Sequence, residues 1–310
     1  MKRKGTPMNG WLVLDKPAGM TSTQAMAKAR WLLGAAKAGH GGTLDPLATG
    51  ILPIAFGEAT KTVSYVMDGR KTYQFTLKWG EQRSTDDAEG AVVATSDVRP
   101  SREAVLVALP SFVGAISQIP PQVSAIKVEG ERAYDLARAG EEFELLPRIV
   151  DVYRYDLIEF SENEASFEVE CGKGTYMRAL ARDLAVKLGT VAHITVLRRL
   201  AVARFTLKNA ISLDELAQKA QNTPAAELLL PVETALDDIP ALVLSLEEAQ
   251  RLRLGQRLSL LSSVHRDRLM SLPQNIRQGE APVVALCEGK AVALAEIVAG
   301  ELRTVRVLHG

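Results

Sequence analysis

The sequence predicts an α+β fold followed by a small β-rich module, and three observations carry that prediction. The 310-residue chain is 47% hydrophobic, enough for a full core and for one large domain plus a small one. Segments that alternate apolar and polar residues are interleaved with segments of helical spacing, so neither class of element dominates. From Val283 onward the pattern changes to closely spaced short strands.

The elements follow in order. Trp11-Leu12-Val13-Leu14 reads as a buried strand, stopped by Lys16-Pro17-Ala18-Gly19. Thr21 to Leu33 reads as a helix capped by Ser22, with Ala25, Met26, Ala29, Leu32 and Leu33 on one side. Tyr73, Phe75, Leu77 and Trp79 alternate with polar residues, as in a half-buried strand, and Ala165, Phe167, Val169 and Cys171 do the same. Cys171 therefore falls on a core face and is expected to be inert. A helix is expected from about Thr175 to Leu188, with Leu180, Leu184 and Leu188 in register, Gly189 as its stop, and Tyr176 and Arg178 in its first turn. Ser212 with Glu215, and Ser245 with Glu248, read as capping boxes that open two further helices. The strands 283–286, 291–294 and 304–307, with a turn near Gly289, give a terminal module that begins near Ala241.

Composition excludes several classes. No apolar run approaches the roughly twenty residues needed to span a bilayer. The basic start Met1-Lys2-Arg3-Lys4 leads into Gly5-Thr6-Pro7 and not into an apolar signal core, so a cytoplasmic location is expected. Cys171 and Cys287 are too few and too far apart for a disulfide framework or a zinc site, and the four histidines lack ligand spacing, so no structural metal is expected. The formal charge of zero hides a segregated distribution. Seven Lys or Arg stand against Asp15 alone between Met1 and Leu44, and eight against Asp183 alone between Cys171 and Lys208. Glu141 to Glu170 carries ten acids against Arg148 and Arg154. Should the two basic blocks meet in the fold, they would form a groove for a polyanion.

The segment Gly39-His40-Gly41-Gly42-Thr43-Leu44-Asp45-Pro46-Leu47-Ala48-Thr49-Gly50 is the most informative stretch. Its four glycines permit turns and close approaches, and it presents a histidine and a carboxylate five residues apart. It lacks the Gly-Lys-Ser/Thr ending of a Walker phosphate loop. The string resembles the catalytic loop of the TruB family of tRNA pseudouridine synthases. Four more stretches match that family in the same order. They are Asp15-Lys16-Pro17-Ala18-Gly19-Met20-Thr21-Ser22, Lys71-Thr72-Tyr73, Pro120 to Lys127 with Tyr134 and Ala137-Arg138, and Lys173 to Arg178 followed by Leu197-Arg198-Arg199-Leu200. The match spans about residues 10 to 205. Val123 stands where many members carry an aromatic residue, and Met177 and Ala179 vary the start of the helix.

The resemblance implies a pseudouridine synthase fold, with a mixed and mainly antiparallel central sheet flanked by helices. Residues 1–240 would form the catalytic domain, with an RNA-gripping insert at about 120–148, and residues 241–310 a PUA-like RNA-binding module. It also implies the reaction: uridine 55 in the T loop of tRNA is flipped out, its C1′–N1 bond is cut and C1′ is joined to C5, with no cofactor. Asp45 would be the essential carboxylate, as nucleophile at C1′ or C6 or as base at C2′. A carboxylate withdrawn from water needs a counter-charge to stay ionised, and Arg178 is the expected partner; a cation is otherwise poorly placed in a helix's first turn. Tyr73 would stack on the uracil with its hydroxyl near C5, and Tyr176 and Leu197 would line the same pocket. His40 would fill the space the uridine vacates. Lys16, Lys127, Arg138, Lys173, Arg198 and Arg199 would contact phosphates and sugars. The Pro-Pro segment and the helix that follows it are expected to be mobile until RNA arrives. The expected partner is the tRNA T-arm, with no membrane, no obligatory protein partner and a monomeric state.

Three other readings use the same residues. A glycoside or nucleoside hydrolase would pair Asp45 with a second carboxylate from Asp86-Asp87, although Ser84 to Gly90 reads first as a polar turn. A tRNA-folding chaperone would need the basic groove and not the carboxylate. The catalytic subunit of a guide-RNA complex would share the fold, but no long Lys-rich tail is present.

Overall fold

The alternating and helical patterns sort into one large sheet and one small one. The computed structural model describes residues 5–124, 126–128, 131–133 and 143–309, with the backbone alone at 127–128, 132 and 263–264. Strands β1 (Gly10–Lys16), β2 (Ala38–His40), β3 (Thr49–Phe56) and β4 (Lys71–Trp79) come from the first quarter of the chain. A hairpin of β5 (Glu81–Arg83) and β6 (Val92–Thr95) follows, then β7 (Gly114–Gln118) and the short pair β8 (Lys127–Val128) and β9 (Glu131–Arg132). Strands β10 (Arg148–Phe160), β11 (Glu164–Cys171), β12 (Ala192–Val202) and β13 (Phe205–Thr206) complete the large sheet. Its order is β1-β3-β12-β4-β11-β10-β7, with β2 beside β3 and β13 beside β12. The pairing of β3 with β12 is parallel and the other neighbours are antiparallel, so the mixed, mainly antiparallel sheet is as expected.

Both faces of this sheet are covered, which explains why β1 reads as a continuous apolar run. Leu12 and Leu14 pack with Leu52 and Ile54 of β3 against Ala25 and Ala29 of helix α1 (Ser22–Leu32). On the opposite face Trp11 and Val13 pack with Ile51, Val66 and Phe205. Further along, Phe75, Leu77, Phe167 and Val169 form the largest core with Leu180 and Leu184 of a helix spanning Met177–Lys187. Truncating one of these phenylalanines would cost about 3–5 kcal/mol.

Three local expectations are corrected. Thr21, not Ser22, caps α1, closing a capping box with Gln24; Ser22 is buried and faces inward. The later helix starts at Met177, which leaves Tyr176 as its cap residue and only Arg178 in its first turn. Ser212 accepts from the Glu215 backbone N–H, but the Glu215 side chain turns to Lys219 instead of closing the box; at Ser245 the box is complete.

The terminal strands form a separate five-stranded sheet. The three expected ones are longer than read: β16 (Val283–Cys287), β17 (Lys290–Val298) and β18 (Glu301–Val307). They are flanked by β14 (Ala241–Val243) and β15 (Leu258–Ser259), in the order β14-β16-β17-β18-β15. Glu288 and Gly289 at the turn both have positive φ, so the glycine suits its place there. Among the described residues no helix is long and apolar enough to cross a membrane.

Candidate active site

The glycine-rich loop connects β2 to β3, and buried side chains from three other elements grip its backbone. The Lys16 ammonium at the end of β1 donates to the carbonyls of Pro17, Met20 and Pro46. The Ser22 hydroxyl bonds to the backbone of Leu44. The Arg199 guanidinium on β12 donates to the carbonyls of Gly42, Thr43 and Ile51. Gly50, at φ +102°, shows why this loop must be glycine-rich: an added Cβ would lie 2.2 Å from the Arg199 carbonyl oxygen. A loop fixed in this way holds the Asp45 side chain in place without using the side chain itself.

Asp45 Oδ2 lies 3.0 Å from Arg178 Nη2. The guanidinium is 4% exposed and the Asp45 side chain 34%, so one partner is sealed in the protein and the other keeps an open side. Arg178 is further bound by the carbonyls of Thr85 and Val123, each at 2.9 Å, and its Nη1 lies 3.4 Å from Asp87, a carboxylate that is 3% exposed. One arginine thus faces two carboxylates. A buried guanidinium needs this number of acceptors to offset its desolvation.

The open side of Asp45 faces a cavity of about 630 Å³ lined by Tyr73, Tyr176, Leu197, Lys71, Lys173 and Arg148, among others. That volume lies within the ordinary range for a small-ligand site. Burial pushes the phenols of Tyr73 and Tyr176 up, so both stay protonated near neutral pH. Gln118 holds the Tyr176 backbone by accepting from its N–H and donating to its carbonyl. The Lys71 ammonium donates to Met67 and Gly69, and burial lowers its pKa to about 8. Burial raises the Cys171 thiol to about 11, consistent with an inert core residue.

The expected site residues divide into three groups. Asp45, Tyr73, Tyr176, Arg178, Leu197 and Lys173 meet at one cavity. Arg199 also lines that cavity, but neither it nor Lys16 is placed as a phosphate ligand: they are 1% and 0% exposed, and their charges are used on backbone carbonyls in and beside the loop. The two basic blocks do meet, since Arg198 is 2.7 Å from Asp15 and also bonds Thr49, but Lys16, Arg178 and Arg199 turn their charges inward. His40 is half-buried on β2 and outside the cavity lining; burial, then the nearby Arg199, lowers its pKa. The Lys127 side chain, Tyr134, Ala137 and Arg138 lie outside the described residues, as does the middle of the insert at 134–142, whereas the Pro120-Pro121 segment is described. Gln118 and Arg148 were not read as parts of this site, and Asp87 was weighed only as the second carboxylate of a hydrolase. The Asp86-Asp87 doublet was the available signal, but a polar turn gives no hint that one of its acids is buried on an arginine about ninety residues away.

The family model for the N-terminal domain of TruB family pseudouridylate synthases matches residues 30–177, and that for the C-terminal domain of tRNA pseudouridylate synthase B matches residues 178–237. A protein named tRNA pseudouridine synthase B from Rhodospirillum rubrum is 53% identical over 309 residues, covering 99% of each chain. The chain belongs to the TruB family. A second such relative, from Bradyrhizobium diazoefficiens, is 52% identical over 320 residues and is covered over 88% of its length. Two solved structures share the fold: an H/ACA RNP bound to a substrate RNA containing 2′-deoxyuridine, and a Cbf5-Nop10-Gar1 complex. Their TM-scores are 0.74 and 0.73, at 21% and 24% identity, covering 97% of this chain and 85% and 84% of theirs. The α+β fold is therefore shared with these two structures, while the agreement in sequence lies with the bacterial TruB relatives.

Proposed function

We propose that this protein isomerises uridine 55 in the T loop of tRNA to pseudouridine. The observation that carries the reading is the Asp45–Arg178 pair, with its carboxylate turned to a cavity walled by Tyr73, Tyr176 and Leu197. The reaction breaks C1′–N1 and forms C1′–C5 with no redox change, so it needs a carboxylate, an extruded base and a route for the C5 proton, and no cofactor. Asp45 supplies the carboxylate, either as nucleophile at C1′ or C6 or as base at C2′. Tyr73 stacks on the uracil with its hydroxyl toward the C5 proton, and Tyr176 and Leu197 complete the pocket. His40 lies outside the pocket, which suits a residue that fills the gap left in the RNA stack. Lys173 and Arg198 serve the RNA backbone, whereas Lys16 and Arg199 support the loop.

The same reading assigns residues 1–240 to the catalytic domain and 241–310 to a PUA-like RNA-binding module. The protein works as a monomer in the cytoplasm, without a guide RNA or protein partner. The full-length likeness to proteins named tRNA pseudouridine synthase B favours this over the guide-RNA reading.

The test uses the purified protein and an unmodified T-arm stem-loop, with pseudouridine mapped by chemical labelling. Product is expected at uridine 55. Asp45→Asn should abolish it while RNA affinity stays within about tenfold, or roughly 1.4 kcal/mol. Release of free uracil would support a hydrolase instead, and unchanged turnover by Asp45→Asn would refute the assignment.

A further inference from the structure

Arg182 follows Arg178 by four residues, so both project from the same face of the Met177–Lys187 helix. Among the described residues it makes three polar contacts. Nη1 lies 3.0 Å from Asp86 Oδ2, Nη2 donates to the Ile119 carbonyl at 2.7 Å, and Nε meets Asp183 Oδ1 at 2.9 Å. These partners sit beside those of Arg178. Asp86 lies between Thr85, whose carbonyl accepts from Arg178, and Asp87, whose carboxylate faces it. Ile119 opens the Pro120-Pro121 segment that delivers the Val123 carbonyl to Arg178 Nη2, the same nitrogen that faces Asp45.

The Thr85–Asp87 turn needs such a tether. Asp86 has φ +57°, a conformation L residues rarely adopt, and its carboxylate is only 9% exposed. Its own carbonyl accepts from Ile194, which fixes the backbone on one side, and Arg182 fixes the side chain on the other. Both backbone acceptors that orient Arg178 therefore belong to segments that Arg182 also holds.

We propose that Arg182 is a positioning residue for catalysis: through Asp86 and the Ile119 carbonyl it fixes the two carbonyls, of Thr85 and Val123, that aim the Arg178 guanidinium at Asp45. The proposal rests on the reading of Asp45 as the reacting carboxylate. It assigns Arg182 no contact with RNA, which separates it from the cations at the cavity.

The experiment compares the parent with Arg182→Gln and Arg182→Lys under single turnover, with enzyme in excess over the T-arm stem-loop. Arg182→Gln should lower the saturating rate constant by about tenfold or more while the RNA Kd stays within about threefold. Arg182→Lys should recover part of the rate, because an ammonium can hold Asp86 but cannot span both partners. A rate within about twofold of the parent, or a loss confined to Kd, would overturn the proposal. Asp86→Asn, which keeps the side-chain volume and leaves Arg182 on Ile119, serves if Arg182→Gln does not fold, and an unchanged rate there has the same force. A second readout does not need turnover. Nitrogen-15 spectra should show Arg178 with hindered guanidinium rotation in the parent and freer rotation in Arg182→Gln; identical spectra would refute the tether. A parent that makes no pseudouridine would instead sink the reading under Proposed function, and the spectra alone would then decide the role of Arg182.

Discussion

The Ser22 hydroxyl lies 2.8 Å from the Leu44 backbone nitrogen and 3.0 Å from its carbonyl oxygen, accepting from one and donating to the other. One side chain at the start of α1 thus satisfies both polar groups of the residue before Asp45, in a place with almost no access to water. Ser22→Ala would leave both unpaired and should destabilise the fold by about 1–3 kcal/mol. Turnover should fall more than RNA affinity, because the displaced group is the one next to the carboxylate. Denaturant titration and single-turnover kinetics on the same preparation would check both effects.

Arg178 stands between Asp45 and Asp87, so its removal leaves two carboxylates facing each other across the space it filled. Arg178→Met should lose activity completely and cost about 3–5 kcal/mol of stability, since Asp87 would remain buried without a counter-charge. Adding Asp87→Asn to Arg178→Met should return part of the stability and none of the activity. A double-mutant cycle read by chemical denaturation tests the first claim, and pseudouridine mapping the second.

Lys16 and Lys173 are both lysines beside the candidate site, yet only the loss of Lys173 should change the salt dependence of RNA binding. Lys173 is exposed on the cavity wall, 2.8 Å from Asp68, and is free to exchange that carboxylate for a phosphate. Lys173→Met should reduce the slope of log affinity against log salt by up to about 0.7–0.9. Lys16→Met should leave the slope unchanged and lower stability, because among the described residues its ammonium bonds only backbone carbonyls. Equal slopes for the two variants would contradict this division.

His40 gives a pH dependence of defined sign. Burial, and secondarily Arg199, puts its folded pKa below 6.5, so the unfolded chain takes up the proton first as the pH falls. Stability from this group is full above 6.5 and is lost as the pH drops from there toward the folded value. His40→Gln should flatten that acid loss, and the imidazole signal should titrate below the ordinary histidine midpoint. Denaturant midpoints at several pH values between about 5 and 7, with a proton NMR titration, measure both.

The alternating strands, the helix that carries Arg178 and the terminal strands were legible because periodic apolar patterns reflect which face is buried, a local property of the chain. The loop around Asp45 was legible because its glycines and acid form an uncommon string. The inward turn of Lys16 and Arg199 was not legible. A cation in sequence looks the same whether it meets a phosphate or three carbonyls, and only the register of β12 on β3, which sets Arg199 opposite Gly50, decides between them. Ser22 was misread for a related reason: a serine at a helix start suits a cap, and nothing local says that Thr21 takes that role while Ser22 turns toward Leu44.

By itself the sequence determined the kinds of element, because residue type and spacing are written along the chain, and its resemblance to the TruB family pointed to the acid, the arginine and the aromatic residues around them. Tertiary structure alone decided that Arg178 serves two carboxylates, that Lys16 and Arg199 hold a loop, and that Arg182 reaches the segments flanking its neighbour. These facts depend on distances between residues dozens to more than a hundred positions apart, and such distances exist only once the sheet has closed and excluded water from between them.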